Sequence, residues 1–383
     1  MTTTVIIIKI IFWLSLFLIF WSYFGYLISL KIISFFYRRK TVREDTTPAI
    51  SLIITAYNEE ARICKKLDNT LALDYPPQNL EIIVVSDGSS DRTEEIVRTY
   101  ADRGVKLLAI PERHGKHYGQ GRGIRMAQNE IVILTDATTF LKEDALKKIV
   151  RNFADPKIGC VSGEDRIETA DGGTDGEGIY VRYEMKLRAL ESRVGSLVGV
   201  SGCFFAMRKN LSVDWIDDMS SDFYTPIVAF LHGYRAVLES EAIGYYTVLK
   251  KPEKEFERKV RTVVHGFEVL FKFKKILNPL KYGTYSLQML SHKLDRWLVP
   301  FWLIFLLTMN ILLIDQGLLY LIFLAGQVVF YLLALTAYLI PGIQNIIIFK
   351  IPLFFVMVNL SILLAWHYYL TGRKFVTWES TKR

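Results

Sequence analysis

The segment EIVILTDATTF, residues 130–140, sets an apolar, β-branched run against an abrupt polar stop. Residues 130–135 read as a buried strand, and Asp136 is the first residue beyond it. Two residues further on, where a second carboxylate would complete a metal-gripping pair, stands Thr138. The stretch is a damaged metal site, a working site with another ligand set, or simply a strand end.

The same punctuation occurs twice upstream. ISLIIT (50–55) runs into AYNEE, and EIIVVS (81–86) runs into DGSSD. VKLLAI (105–110) and the short GCVSG (159–163) read as further strands. Helical spacing fills the gaps at 59–73, 91–102, 118–128 and 142–154. Short apolar runs alternating with amphipathic helices predict an α/β, mainly parallel, three-layer sheet. Ligands of such sheets collect at the carboxyl ends of the strands. Those ends present Tyr57, Asn58, Glu59, Asp87, Asp91 and Asp136. A lone Asp after a strand is usually a helix cap, and Asp91 and Thr93 read that way. The set across three strand ends reads as a binding edge.

The flanks are different in kind. Of 383 residues 51% are hydrophobic, and the excess lies at the ends. Residues 5–37 carry only Lys9 and Lys31 as charges. About 20 apolar residues cross a bilayer, so this is one long span with an interfacial extension rather than a signal peptide. Apolar runs return at 297–314, 317–340 and 352–370. The chain divides into an N-terminal span and linker (1–47), a globular domain (48–248), basic interfacial helices (249–296) and C-terminal spans with a tail (297–383).

YRRK after the first span, and KFKK and HKLDR before the later ones, put the domain on the cytoplasmic face of a multi-pass cell-membrane protein. The basic tail GRKFVTWESTKR would face outward after three C-terminal spans, which runs against that rule. The net charge is +8, and residues 250–296 hold twelve Lys/Arg against five Asp/Glu. This reads as a surface attracted to anionic headgroups. No reader motif accompanies the charge, so nucleic acid is not the expected partner. Cys64, Cys160 and Cys203 lack metal spacing and read as free thiols. The six histidines also lack ligand spacing and read as structural.

ITAYNEE, EIIVVSDGSSDRT, RHGKHYGQGRG and IVILTDATTF occur in the order and spacing of the family-2 inverting glycosyltransferases. VSGCFFAMRK (200–209), SSDFYTP (220–226) and ERKVRT (257–262) extend the likeness from about residue 48 to 300. The chain most resembles membrane-anchored members related to synthases of cellulose, hyaluronan and poly-N-acetylglucosamine. The resemblance implies a GT-A, Rossmann-like domain between N- and C-terminal transmembrane helices. It implies a nucleotide-sugar donor, with UDP favoured, and Mg²⁺ or Mn²⁺. It places Tyr57 and Glu59 in the nucleotide pocket, Asp87 on the base and Lys116 near the diphosphate. It makes Asp136 the metal carboxylate and Asp222 the catalytic base. Arg258 and Arg261 match the element that closes over the diphosphate, and Gly202 and Cys203 lie on the acceptor side. Four positions depart from the family pattern: Thr138 for Asp, Thr262 for Trp, Arg258 for Gln and Gly121 for Asn.

Inverting transfer needs a base on the acceptor hydroxyl and charge stabilisation on the departing diphosphate. Mg²⁺ needs only one or two protein carboxylates when phosphates and waters fill its octahedron, so Asp136 with Thr138 on a bound water is a sufficient site. Arg258 and Arg261, at i and i+3, share a helical face. The alternative for both is a basic interfacial helix. Asp222 precedes a helical run, so its alternative is an N-cap. Trp297 and Trp302 read as interfacial anchors.

The expected function is sugar transfer to a glycan or polyprenyl-linked acceptor in cell-surface or extracellular polysaccharide synthesis, with oligomerisation allowed. The altered ERKVRT element, and spans whose polar groups are Asn310, Gln327, Asn359 and His367, suggest one or a few sugars per acceptor. A processive synthase that extrudes its product, or a non-catalytic transport or binding protein, are the competing readings.

Overall fold

The structure is a computed structural model and describes residues 3–167, 176–246, 252–373 and 375. The boundary expected at 248–249 and most of the tail fall outside those residues. Among the described residues eight strands form one sheet: β1 (Ile50–Ala56), β2 (Leu80–Asp87), β3 (Val105–Ile110), β4 (Ile131–Asp136), β5 (Thr139–Leu141), β6 (Ile158–Ile167), β7 (Phe204–Arg208) and β8 (Arg235–Tyr246). Their order is β3-β2-β1-β4-β7-β6-β8-β5. β3, β2, β1 and β4 are parallel. β7 then runs antiparallel to both β4 and β6, and β5 antiparallel to β8. The mainly parallel expectation therefore describes the first half of the sheet, and the second half is mixed. β5, β7 and β8 are not announced by the alternation of runs and helices.

β1 and β4 are apolar along nearly their whole length because both faces are covered. Ile53, Ile83, Val85, Val132 and Leu134 belong to one core cluster, and Ile50, Leu52, Ile131 and Ile133 to another. On the first face lies the helix Lys116–Met126. Its glycines let it approach closely: a methyl at Gly123 would lie 2.6 Å from Ile53 and 3.0 Å from Val85. Register aligns the strand ends, with Thr55 opposite Asp136 and Ala56 opposite Ser86.

Among the described residues four helices are long and apolar enough to cross a membrane: Thr3–Phe36, Thr284–Leu312, Leu318–Leu339 and Ile347–Leu370. The first contains a π-helical stretch at Trp21–Gly25. Its first half packs Phe12 with Leu306 and Tyr320. Its second half packs Tyr26 and Leu30 against Leu187 and Val194 of the helix Gly176–Val194.

Two expectations are corrected here. The second span helix starts at Thr284, so SHKLDR is part of it, and His292, Asp295 and Arg296 are buried rather than facing headgroups. His292 Nδ1 lies 2.8 Å from Glu191 and Nε2 lies 3.1 Å from Glu184, and Arg296 pairs with Glu184. Tyr26 donates to Glu191 at 2.8 Å, which ties the first span into the same cluster. Buried charges persist where partners satisfy them, and the partners here come from a distant helix. Trp297, expected as an interfacial anchor, is buried against Phe223 and Phe267, at 5.9 and 5.0 Å between ring centroids.

The turn after β2 supplies a test of the fold. Gly88 has φ +68, and a methyl there would lie 2.7 Å from the Arg113 backbone nitrogen. Gly104 has φ +83 with nothing within 4 Å. Gly104→Ala should cost only the left-handed penalty of about 1 kcal/mol, whereas Gly88→Ala adds a backbone clash. Thermal unfolding in detergent should show the larger loss for Gly88→Ala, and equal losses would mean that this turn does not pack as described.

Candidate active site

Two strand-end loops form one wall. Asn58 takes φ +51, a left-handed conformation that Asn tolerates better than most residues. Its side-chain oxygen accepts from Ser90 N at 2.8 Å. Glu59 N donates to Thr93 Oγ1 at 2.8 Å and Glu60 N to Asp91 Oδ2 at 3.0 Å. Asp91 Oδ1 accepts from Thr93 N at 3.0 Å, so Asp91 and Thr93 stitch the loops and start the helix Thr93–Arg98. Glu59 is buried, and its carboxylate pairs with Arg62 at 3.3 Å. The Tyr57 ring lies under the Arg113 guanidinium, 3.8 Å from the centroid. Asp87 accepts from His114 N at 3.0 Å and Gly115 N at 2.6 Å, which fixes the entry to the helix that begins at Lys116.

Lys116 reaches across the sheet edge. Its ammonium lies 2.6 Å from Asp136 Oδ1 and donates to the Gly202 carbonyl at 2.7 Å. Burial works to lower its pKa, but Asp136, with smaller contributions from Cys203 and Asp222, raises it overall. Asp136 N donates to the Cys203 carbonyl at 3.3 Å. The Cys203 thiol is pushed up to about 12 by burial and by the charges of Asp165 and Asp136, which disfavours the thiolate.

Asp222 lies in the first turn of the helix Ser221–Leu231, whose N-cap position is Ser220. Its Oδ1 accepts from Ser220 Oγ. A methyl at Gly202 would lie 3.3 Å from Asp222 Oδ2, so glycine there keeps the approach to this oxygen open. Burial works to raise the Asp222 carboxyl, but the Ser220 hydroxyl and the charges of His117, Lys116 and Lys293 outweigh it and lower the pKa. His117 beside it is pushed down to about 4, by burial and by Lys116.

The helix Pro252–Lys272 closes one side. Arg258 makes a two-pronged pair with Glu255 at 2.8 and 2.7 Å, and its charge also acts on the Cys203 thiol. Arg261 has a lowered pKa, from burial first and Arg258 second. His265 brings its ring 6.3 Å from that of His117. Gly121 also has a physical reason: a methyl there would lie 2.6 Å from Trp215, whose Nε1 donates to the His117 carbonyl at 3.0 Å.

Among the described residues no three His, Cys, Asp or Glu gather to hold a metal. Asp136 stands alone at a strand end with a quarter of its side chain exposed and an ammonium already on one oxygen. That donor set fits a hard cation arriving with phosphate oxygens, and it does not fit a resident ion.

Sequence reasoning passed over four groups. Lys66 is fully buried and reaches Thr135 Oγ1 at 3.4 Å and the Thr139 carbonyl. Its signal was legible, because it falls on the buried stripe Ile63, Lys66, Leu67, Thr70 of its helix. Arg113, Asp165 and Lys293 gave no such signal; each is placed by tertiary contacts alone.

Residues 51–214 match the model of glycosyl transferase family 2. The poly-beta-1,6-N-acetyl-D-glucosamine synthase of Staphylococcus aureus (strain COL) is 29% identical over 244 residues, 61% of this chain and 58% of that protein. The Staphylococcus epidermidis enzyme of the same name is 28% identical over 247 residues, 62% of this chain and 60% of that protein. The chain thus spans about three-fifths of the length of these curated relatives. The mannosyltransferase PcManGT from Pyrobaculum calidifontis, solved with GDP-Man and Mn²⁺, superimposes with a TM-score of 0.72 at 21% identity, over 95% of this chain and 100% of that one. That likeness establishes the fold, a GT-A domain joined to apolar helices. The likeness to glycosyl transferase family 2 lies in the domain formed by residues 51–214.

Proposed function

We propose that the chain is a membrane-bound inverting glycosyltransferase that moves a sugar from a nucleotide donor, UDP-linked in the first instance, to a glycan or polyprenyl-linked acceptor at the cytoplasmic face. The observation that carries this reading is the convergence of Asp136, Lys116 and Asp222 on residues 200–203. In this reading the Asp136 carboxylate and the Lys116 ammonium, 2.6 Å apart, would hold the diphosphate. A second carboxylate, kept ionised, sits across the same loop. The family match and the synthase relatives support it.

In this reading Tyr57, Glu59 and Asp87 frame the nucleotide, and Lys116, Arg258 and Arg261 face its phosphates. A Mg²⁺ or Mn²⁺ ion bound with the donor would be held by Asp136 and would take up charge from the leaving diphosphate. Asp222 accepts the proton of the acceptor hydroxyl as that oxygen attacks the anomeric carbon from the side opposite the diphosphate. Gly202 leaves room for the acceptor against Asp222. The Lys116 link between Asp136 and Gly202 keeps donor and acceptor halves in register. A second reading, a processive synthase, is favoured by the names of the curated relatives. Product length in a purified reaction with excess donor separates the two: one or a few additions per acceptor supports limited transfer, and long chains alongside unused acceptor support the synthase.

Four measurements test the core of the proposal. A donor panel of UDP-N-acetylglucosamine, UDP-glucose and GDP-mannose should show nucleotide diphosphate release from one class; release from none overturns the reading. Asp222→Asn should preserve donor binding and lower transfer ~10²-fold or more, the usual contribution of a positioned base. Because its pKa lies below the usual carboxylate range, Asp222 is deprotonated at every pH above that range. The rate should therefore not fall between pH 7 and 5 through loss of the base. Finally, UDP should bind more tightly with Mn²⁺ than with chelator, and Asp136→Ala should erase that difference. Equal affinity in both conditions for the wild type would remove the metal role.

A further inference from the structure

The mechanism leaves one carboxylate of the cleft unused. Asp165 lies near the end of β6, opposite Gly244 of β8. Ser201 Oγ donates to its Oδ1, and the same hydroxyl oxygen accepts from Cys203 N at 3.1 Å and Phe204 N at 3.0 Å. Asp165 is therefore anchored on the loop whose next carbonyl, Gly202, holds Lys116. Its other oxygen, Oδ2, faces the Arg188 guanidinium at 3.7 Å. That separation suits an ion pair but exceeds hydrogen-bond reach. Arg188 Nη1 is also shielded from solvent and has no hydrogen-bond partner among the described residues. A shielded N–H without a partner is costly, and the best remedy is a group that both donates and accepts. A hydroxyl lodged beside the pair, in reach of both atoms, would donate to Asp165 Oδ2 and accept from Arg188 Nη1.

The position in the cleft says whose hydroxyl it is. Burial raises the Asp165 pKa against the pull of Arg188 and Ser201, and the charges of Asp222 and Asp136 add to that rise. The geometry agrees: Asp165 is bonded to Ser201, whose neighbour Gly202 meets Lys116 through its carbonyl and faces Asp222 Oδ2. The sugar in transit must lie between the diphosphate at Asp136 and the base at Asp222. We infer that Asp165 and Arg188 bind a hydroxyl of the transferred sugar and select donors that present a free hydroxyl toward residues 200–203. This rests on the glycosyltransferase reading above and assigns the sugar subsite within it.

The test separates the sugar from the nucleotide. With the full-length protein in detergent and the productive donor from the panel, one measures KM for the nucleotide sugar and the inhibition constant of the free nucleotide diphosphate. Asp165→Ala and Arg188→Met should each raise KM about tenfold or more, the effect of losing a hydrogen bond to a charged group. The inhibition constant should stay within about twofold, which also shows that the variants fold. Asp165→Asn, which keeps an accepting oxygen at similar volume, should fall between wild type and Asp165→Ala. Unchanged KM in both variants, or KM and inhibition constant rising together, overturns the assignment. A wild type that releases nucleotide from no donor overturns the function itself, and is distinguished by failing before any variant is compared.

Discussion

The Lys116 ammonium joins parts of the molecule that are otherwise held by separate elements. It touches the carboxylate at the end of β4 and the carbonyl just before β7, while its helix is anchored at the end of β2 by Asp87. An ammonium is a point charge with three donors and no preferred plane, so it can serve both oxygens at once. The consequence is positional. β4 and β7 are antiparallel neighbours, with Thr135 opposite Phe204, and the backbone bond from Asp136 N to the Cys203 carbonyl closes the same corner. Residues 200–203 are thereby fixed against the parallel half of the sheet, and Asp165, Ser201 and the approach to Asp222 take their places from that loop.

The membrane helices dock on this domain through charge as well as apolar surface. Glu184 and Glu191, two turns apart on the helix Gly176–Val194, meet His292 and Arg296 from a span, and Tyr26 from the first span completes the cluster. In such surroundings an unpartnered charge is expensive and a partnered one fixes orientation. The spans are thus oriented relative to the cleft by these pairs. Lys293, from the same turn as His292, points the other way: its ammonium lies 5.3 Å from the Phe223 ring centroid and would lie 3.4 Å from a methyl at Gly199. One helical turn of a span therefore contributes both to the anchor and to the potential around Asp222.

What was legible in the sequence follows from this. β1, β2, β3 and β4 are local facts: continuous apolar runs with polar stops, readable because both sheet faces are covered. The strand-end positions of Tyr57, Asp87 and Asp136 were readable for the same reason, and Asp222 was singled out by the family resemblance. β5, β7 and β8 were not legible, because their pairing depends on a return of the chain from the helix Gly176–Val194 rather than on a repeat of strand and helix. SHKLDR looked like a solvated basic loop because its partners lie about a hundred residues away, at Glu184 and Glu191. Asp165 and Arg188 look like ordinary surface charges for the same reason. Trp297 looked like a lipid-facing anchor until Gly266, where a methyl would lie 2.6 Å from it, opened a slot on the helix Pro252–Lys272.

Lys66 shows what the fold accepts in order to shape the site. Burial pushes its pKa down from 10.5 to about 7, against the opposing charge of Asp136. A lysine whose folded pKa lies below its unfolded one binds protons more readily unfolded, so stability rises with pH between about 7 and 10.5 and the cost of the charge is fully present below that window. An apolar side chain of similar length would avoid the cost. Lys66, however, bonds to the Thr135 hydroxyl on one side of Asp136 and the Thr139 carbonyl on the other. It ties the two ends of the turn that presents Asp136 and Thr138. With Thr138 in place of a second carboxylate, the direction of the single carboxylate matters more, and the buried ammonium braces the turn that sets that direction.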